Sequence, residues 1–262
     1  MGILNVTPDS FSDGGVYASA DQAAEAARTM LAVGALLVDV GGESTRPGAE
    51  PVSVEDELGR VVPVLERLEG LPVSIDTSRA GVARRAIAFG ARMVNDVSAL
   101  RRDPELAGVV SETGVELCLM HLQGDPRTMQ VAPRYDDVVS EVSAFLEERL
   151  AFAVEAGISE DRICLDPGIG FGKTVEQNLE LVRRLDVITA LGRPVLVGLS
   201  RKSSLARIRG DTEAWIASDA ASVGGAIAAF SRGATLFRVH DVRSHVESLA
   251  VAAAIERGTV VP

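Results

Sequence analysis

What this sequence lacks closes off several classes of function. No run approaches the roughly 18 consecutive apolar residues that a membrane span requires, although 47% of the 262 residues are hydrophobic. Cysteine is nearly absent: Cys118 and Cys164 are the only two. Each sits in an apolar run, which suits a structural thiol in a reducing compartment better than a disulfide or a metal cluster. Lys and Arg form no cluster, and the net charge is −11, from 26 basic and 37 acidic residues. A nucleic-acid binder ordinarily presents a basic face, so that class is disfavoured. The opening "MGILNVTPDS" has no basic stretch ahead of an apolar one, so no secretory leader is read. Val6 stands where a myristoylation signal wants Ser or Thr. A cytoplasmic protein is expected. The three histidines, His121, His240 and His245, are far apart in the chain, unlike the ligands of a zinc site; His245, in the last helical stretch, is expected in solvent. No G-x-S-x-G elbow or Ser-His-Asp arrangement is visible.

What is present is a repeated alternation. Apolar, β-branched runs ("GILNV", "ALLVDV", "PVSID", "RMVND", "VELCLM", "RICLD", "PVLVGLS", "TLFRVH") are separated by segments of helical spacing such as "DQAAEAARTMLAVG" and "TVEQNLELVRRLD". Several helical segments end at Gly34, Gly70, Gly90 or Gly157, as a C-terminus needing positive φ would. Eight strands alternating with eight helices predict an α/β fold, a (β/α)₈ TIM barrel with its ligand site at the C-terminal ends of the strands. A doubly wound sheet would want a glycine fingerprint after its first strand. No linker or composition break divides the chain, so residues 1–262 are expected to form one domain.

The strand ends carry residues that packing does not require: Asn5, Asp39, Asp76, Asn95 and Asp96, His121, Asp166, the run Ser200, Arg201 and Lys202, then Arg238 and His240. Any one could cap the following helix. Taken together, at one barrel mouth, they suggest a polar planar ligand and an anion. The stretch "DPGIGFGKT" at 166–174 looks like a phosphate loop, but Pro167 stands where a Walker A motif requires glycine. In a barrel its glycines instead let backbone approach a ligand, and Phe171 offers a flat wall. Two other loops, "TPDSFSDGGVYAS" and "GGESTRPGAEPVS", read as covers.

At these residues the sequence resembles the dihydropteroate synthases. The motifs are "MGILNVTPDSFSDGG", "DVGGESTRPGA", "SIDTSR", "NDVSAL", "LMHLQGDPRTMQ", "LDPGIGFGKT", "SRKS" and "RVHDV", in family order over nearly the whole chain. The resemblance implies a homodimeric transferase of folate biosynthesis, a sulfonamide target. It joins 7,8-dihydropterin-6-ylmethyl pyrophosphate to 4-aminobenzoate, releasing pyrophosphate with Mg²⁺ help by an SN1-like route. It implies catalytic roles for Asp76, Asp166 and Lys202, and a pterin site of Asp76, Asn95, Val97, Met120, Asp166, Phe171 and Lys202. The pyrophosphate would meet Asn5, Arg46, Arg238 and His240. The aminobenzoate would meet Phe11, Thr45, Pro47, Phe171, Lys202 and Ser203, and Mg²⁺ would meet Asn5 and Asp9. No nucleic-acid or membrane partner is implied. The family usually has a few residues before this start. Ser204 and Ala206 stand where a bulky apolar residue and a glycine are common, and an arginine expected near Ser218 is missing. Ser204 is expected near the arylamine. The alternatives are a methyltetrahydrofolate-type pterin barrel, and a pterin-binding paralogue that is non-catalytic or takes another amine.

Overall fold

In a barrel strand, alternate side chains face the surrounding helices and the lumen, so each strand must satisfy two environments at once. The computed structural model describes residues 1–7, 19–44, 49–124, 128–208 and 216–258. Its strands are β1 (Gly2–Asn5), β2 (Val38–Gly41), β3 (Val73–Asp76), β4 (Met93–Asp96), β5 (Glu116–Met120), β6 (Ile163–Asp166), β7 (Leu196–Val197) and β8 (Leu236–Phe237). Strands β1 to β6 pair in chain order, all parallel, and β7 pairs with β8. Two parallel bridges join these sheets, Leu165 to Val195 and Gly2 to Val239. The eight strands thereby form a ring.

One side of each strand feeds the main core: Leu4, Val38, Val40, Val73, Ile75, Val94, Leu117, Leu119, Ile163 and Leu165 pack against the helices. The other side faces inward. Its lower layer is the small cluster Met93, Cys118, Cys164 and Leu196. Both cysteines are buried free thiols, as expected. Above that layer the inward residues turn polar, and the site begins.

The helices are α1 (Ala20–Ala32), α2 (Val54–Leu65), α3 (Ala80–Ala88), α4 (Glu105–Thr113), α5 (Val138–Glu155), α6 (Val175–Arg183), α7 (Leu185–Thr189), α8 (Ser203–Arg207), α9 (Asp219–Phe230) and α10 (Val242–Arg257). Among the described residues these are ten where eight were expected, because β6 and β7 are each followed by two. The backbone of Arg184 leaves helical geometry (φ −113°, ψ 34°) and separates α6 from α7. The expected strand 194–200 also ends early. Lys202 N–H donates to Leu199 O at 3.2 Å and Arg201 takes φ 59°, so the chain turns through Ser200 and Arg201. No described helix is long and apolar enough to cross a membrane.

Helix starts follow side-chain capping. Ser19, Ser53, Asp137, Ser218 and Asp241 each accept from a first-turn N–H. At α6, Thr174 and Gln177 form a reciprocal capping box, which satisfies two backbone donors together. Thr174→Ala should therefore cost about 1 kcal/mol, read as a lowered urea midpoint. An unchanged midpoint would show that another interaction starts this helix.

Candidate active site

Parallel register places Asn5, Gly41, Asp76 and Asn95 in one row across four strands. Gly41 lies between two of these side chains: a Cβ on it would stand in ordinary contact, 3.6 Å from both Asn5 Oδ1 and Asp76 Oδ2. Asp39 lies one inward step below and is fully buried. Its Oδ2 accepts from Asn95 Nδ2 at 3.0 Å and Arg238 Nε at 2.6 Å. Arg238, just past β8, also donates from Nη2 to Asp76 Oδ2 at 2.7 Å. One guanidinium thus spans two buried carboxylates.

Burial opposes the charge on Arg238, but Asp39 and Asp76 outweigh it and hold the guanidinium above its ordinary range. Burial pushes the Asp76 carboxyl up; Arg238 pulls it back, while Asp39 adds to the rise. Asp96, next to Asn95, does something different. Ser78 Oγ at 2.5 Å and the N–H groups of Ser98 and Leu100, at 2.8 and 2.6 Å, donate to it. That carboxylate organises the turn after β4, where Ala99 and Leu100 have positive φ.

Asp166 ends β6 on the opposite side. Burial raises its carboxyl to about 6, against the Gly168 N–H bond (2.7 Å) and the cations Lys202 and Lys173. The loop that follows answers the question of its glycines. A Cβ on Gly168 would sit 1.9 Å from His121 O, and one on Gly172 would sit 2.7 Å from Gln123 O. Both residues also have φ of +66°, so the turn is closed to other side chains. Lys173 reaches back under the loop. Its Nζ lies 2.9 Å from Gly168 O, 3.0 Å from Phe171 O and 2.9 Å from His121 Nδ1. Three acceptors match the three ammonium protons. Burial, then Lys173 and Arg101, drive His121 down to about 2, so it is a neutral acceptor. Burial also lowers Lys173, to about 7, with Asp166 resisting.

Above this clamp, Phe171 lies under Lys202, whose Nζ is 4.0 Å from the ring centroid. Phe171 packs on Val97, Met120, Leu122 and Met129, giving an apolar wall beside the buried acids. His240 Nδ1 lies 2.9 Å from Ser200 Oγ, which also accepts from the His240 N–H at 3.1 Å. That pair fixes the imidazole.

A family model for pterin-binding enzymes matches residues 1–240. The dihydropteroate synthase of Escherichia coli (strain K12) is 45% identical over 256 residues, covering 96% of this chain and 89% of that protein. The chain belongs to the dihydropteroate synthase family. Among solved structures of the family, that of Xanthomonas albilineans with 4-aminobenzoic acid superposes with a TM-score of 0.88 at 46% identity, covering 100% of this chain and 93% of that one. The same enzyme in complex with 7,8-dihydropteroate gives 0.85 at 43% identity, with the same coverage.

The structure brings together most of the residues that the family resemblance names. Asp76 and Asn95 gather with Arg238 around Asp39, Asn5 lies beside Asp76 across Gly41, and Val97, Met120, Phe171 and Lys202 line one wall. Ser203 is the first residue of α8. Asp9, Phe11, Thr45, Arg46 and Pro47 lie outside the described residues. Four expectations change. Arg201 turns outward and pairs with Asp219 at 2.8 and 3.0 Å. His245 is buried rather than solvated, its Nδ1 2.7 Å from Asp241 O, because α10 turns this face inward. His121 serves the loop clamp rather than the mouth. Ser204 is buried in the helix layer, in a cavity of about 470 Å³ with Asn178, Val182, Leu205 and Gly225, rather than beside the mouth. Lys173 was given no role from sequence, and Asp39 was read only as one of the polar strand residues, with no role of its own. For Lys173 a compositional signal existed: Lys173 and Lys202 are the only two lysines among 26 basic residues.

The Asp166 shift has a consequence for stability. Its carboxyl titrates near 3.8 when unperturbed and near 6 in the fold, so ionising it favours the unfolded chain. That penalty is absent below the lower value and fully present above the upper one. Asp166→Asn should therefore stabilise the fold at pH 8 by up to about 3 kcal/mol, with the gain shrinking as pH falls below about 6. A lower Tm at pH 8 in this variant would contradict the assignment.

Proposed function

We propose that this chain, as one domain, condenses 7,8-dihydropterin-6-ylmethyl pyrophosphate with 4-aminobenzoate, giving 7,8-dihydropteroate and pyrophosphate. The observation that carries the reading is the pairing of buried acceptors with a flat apolar wall. Asp76, Asn95 and Asp166 form one part, and Val97, Met120 and Phe171 form the other, with the Lys202 ammonium on the ring. A pterin edge offers adjacent N–H donors beside a carbonyl and ring nitrogens. Asp166 as a carboxylate accepts two such bonds at once, and a ligand lacking them would leave a buried charge unmatched. Lys202 donates to the ring acceptors, and the apolar wall covers the pterin face.

Arg238 and His240, with Asn5 and Arg46, receive the pyrophosphate. The C–O bond to the pterin methylene breaks first. The electron pair leaves with pyrophosphate, and the aniline nitrogen then bonds to the cationic carbon and loses its proton to the released pyrophosphate. A neutral arylamine needs no strong base, which agrees with the absence of a nucleophile–base dyad from the sequence. Asp76, with Asp39 behind it, holds negative charge where the cation develops. Phe11, Thr45 and Pro47, with Phe171, Lys202 and Ser203, form the arylamine slot, and the two covers keep water from the cation.

Asn5 Oδ1, converging with Asp76 across Gly41, is the hard oxygen donor that Mg²⁺ prefers. Asn5 and Asp9 would hold the ion, and when bound it would offset charge on the leaving phosphates. A homodimer in the cytoplasm completes the proposal.

The test is pyrophosphate release from the dihydropterin pyrophosphate, with Mg²⁺, in the presence and absence of 4-aminobenzoate. Release that requires the amine and yields dihydropteroate is expected. Tight pterin binding without product would favour a non-catalytic pterin binder or another amine. Phe11→Leu should raise the KM for 4-aminobenzoate and leave pterin affinity nearly unchanged; equal losses in both would contradict two separate subsites.

A further inference from the structure

Asp39 is difficult to explain as a structural residue. It is fully buried in the lumen, registered between Ile3 and Ser74, above a layer of Met93, Cys118, Cys164 and Leu196. An aliphatic side chain would fill that space without desolvating a charge. Its hydrogen bonds run to two site residues, Arg238 and Asn95, both through Oδ2. The other oxygen, Oδ1, is buried and has no hydrogen-bond partner among the described residues, so part of its desolvation is uncompensated.

We propose that Asp39 is a positioning residue that sets the hydrogen-bonding sense of the two groups it holds, Arg238 as donor and Asn95 as acceptor. The inference rests on the pterin and pyrophosphate reading above. A guanidinium is planar and turns about its Cδ–Nε bond. With Nε held on Asp39 and Nη2 on Asp76, that rotation is locked, and the remaining N–H groups keep one direction toward the mouth. The Asn95 amide is ambiguous in itself, since either its oxygen or its nitrogen could meet a ligand. A carboxylate only accepts, so Asp39 holds the amide nitrogen and leaves Oδ1 to meet a ring N–H. One buried oxygen therefore selects a ligand with a donor opposite β4 and an anion opposite β8. Asp39 acts through these residues and does not itself touch substrate.

Asp39→Asn tests this with almost no change of shape. An amide at this position can accept or donate, so Asn95 is no longer held in one orientation, and Arg238 loses its charged anchor. The expected result is a loss of about tenfold or more in kcat/KM for the pterin pyrophosphate, with a matching loss in calorimetric affinity for it. The KM for 4-aminobenzoate at saturating pterin should stay within about twofold. In an Asn95→Ala background the effect of D39N should shrink, because part of it passes through Asn95. A purely structural role would lower Tm and the active fraction, leave the pterin KM unchanged and add independently to N95A; that pattern overturns the proposal. If D39N does not fold, Asp39→Glu carries the test. It retains the charge but displaces the oxygens by one methylene, so the same pterin-selective loss is expected, and unaltered pterin kinetics would refute positioning. Wild-type protein that fails to bind the pterin overturns both this inference and the functional reading. Wild-type binding with equal binding by D39N overturns the role of Asp39 alone.

Discussion

The site depends on keeping carboxylates charged inside a closed ring of strands. A buried anion is tolerable only when a cation and hydrogen bonds replace its water. Arg238 supplies this for two acids at once, reaching from the end of β8 to Asp39 on β2 and Asp76 on β3. One cation against two acids leaves an excess of negative charge, which suits a centre that stabilises positive charge in its substrate. Burial raises the Asp76 carboxyl, and the negative charge of Asp39 adds to that rise. The lumen below is lined mainly by Met93, Cys118, Cys164 and Leu196, with buried Ser74 as a polar exception.

The opposite side of the mouth is held by a different device. The loop after β6 passes so close to the β5 end that only glycine fits at 168 and 172, and Lys173 ties its carbonyls from beneath. Its geometry is therefore largely fixed before a ligand arrives, which limits the ordering cost of binding. Phe171 is presented outward by this fold of the loop, and Lys202 rests on it. The residues that resemble a phosphate loop form a wall braced from below.

Much of this was legible from sequence. Strands β1 to β6 announce themselves by apolar residues on one side and polar or sulfur residues on the other, and their ends are polar as a barrel mouth requires. The C-terminal quarter was less legible. The early end of β7 depends on positive φ at Arg201, a conformation no side chain there advertises, and the division of α6 from α7 depends on the backbone at Arg184. The outward pairing of Arg201, the burial of His245 and the helix-layer position of Ser204 are set by which way each turn faces, and spacing along the chain does not fix that. Asp39 could be seen as a strand acid, but its partners lie 56 and 199 residues away, and only the closed ring brings them together.

The scarcity of lysine has a practical side. Arginine serves nearly every surface ion pair, whereas lysine is kept at the two places where a compact ammonium must fit, under the β6 loop and over Phe171. Side-chain amine chemistry in this protein is therefore confined to the loop clamp and the Phe171 wall above it. Isotope-labelled lysine would give two side-chain signals, one from the loop clamp and one from the Phe171 wall, with no further lysine as background. The composition itself thus provides a pair of spectroscopic reporters, one under the β6 loop and one over the Phe171 ring.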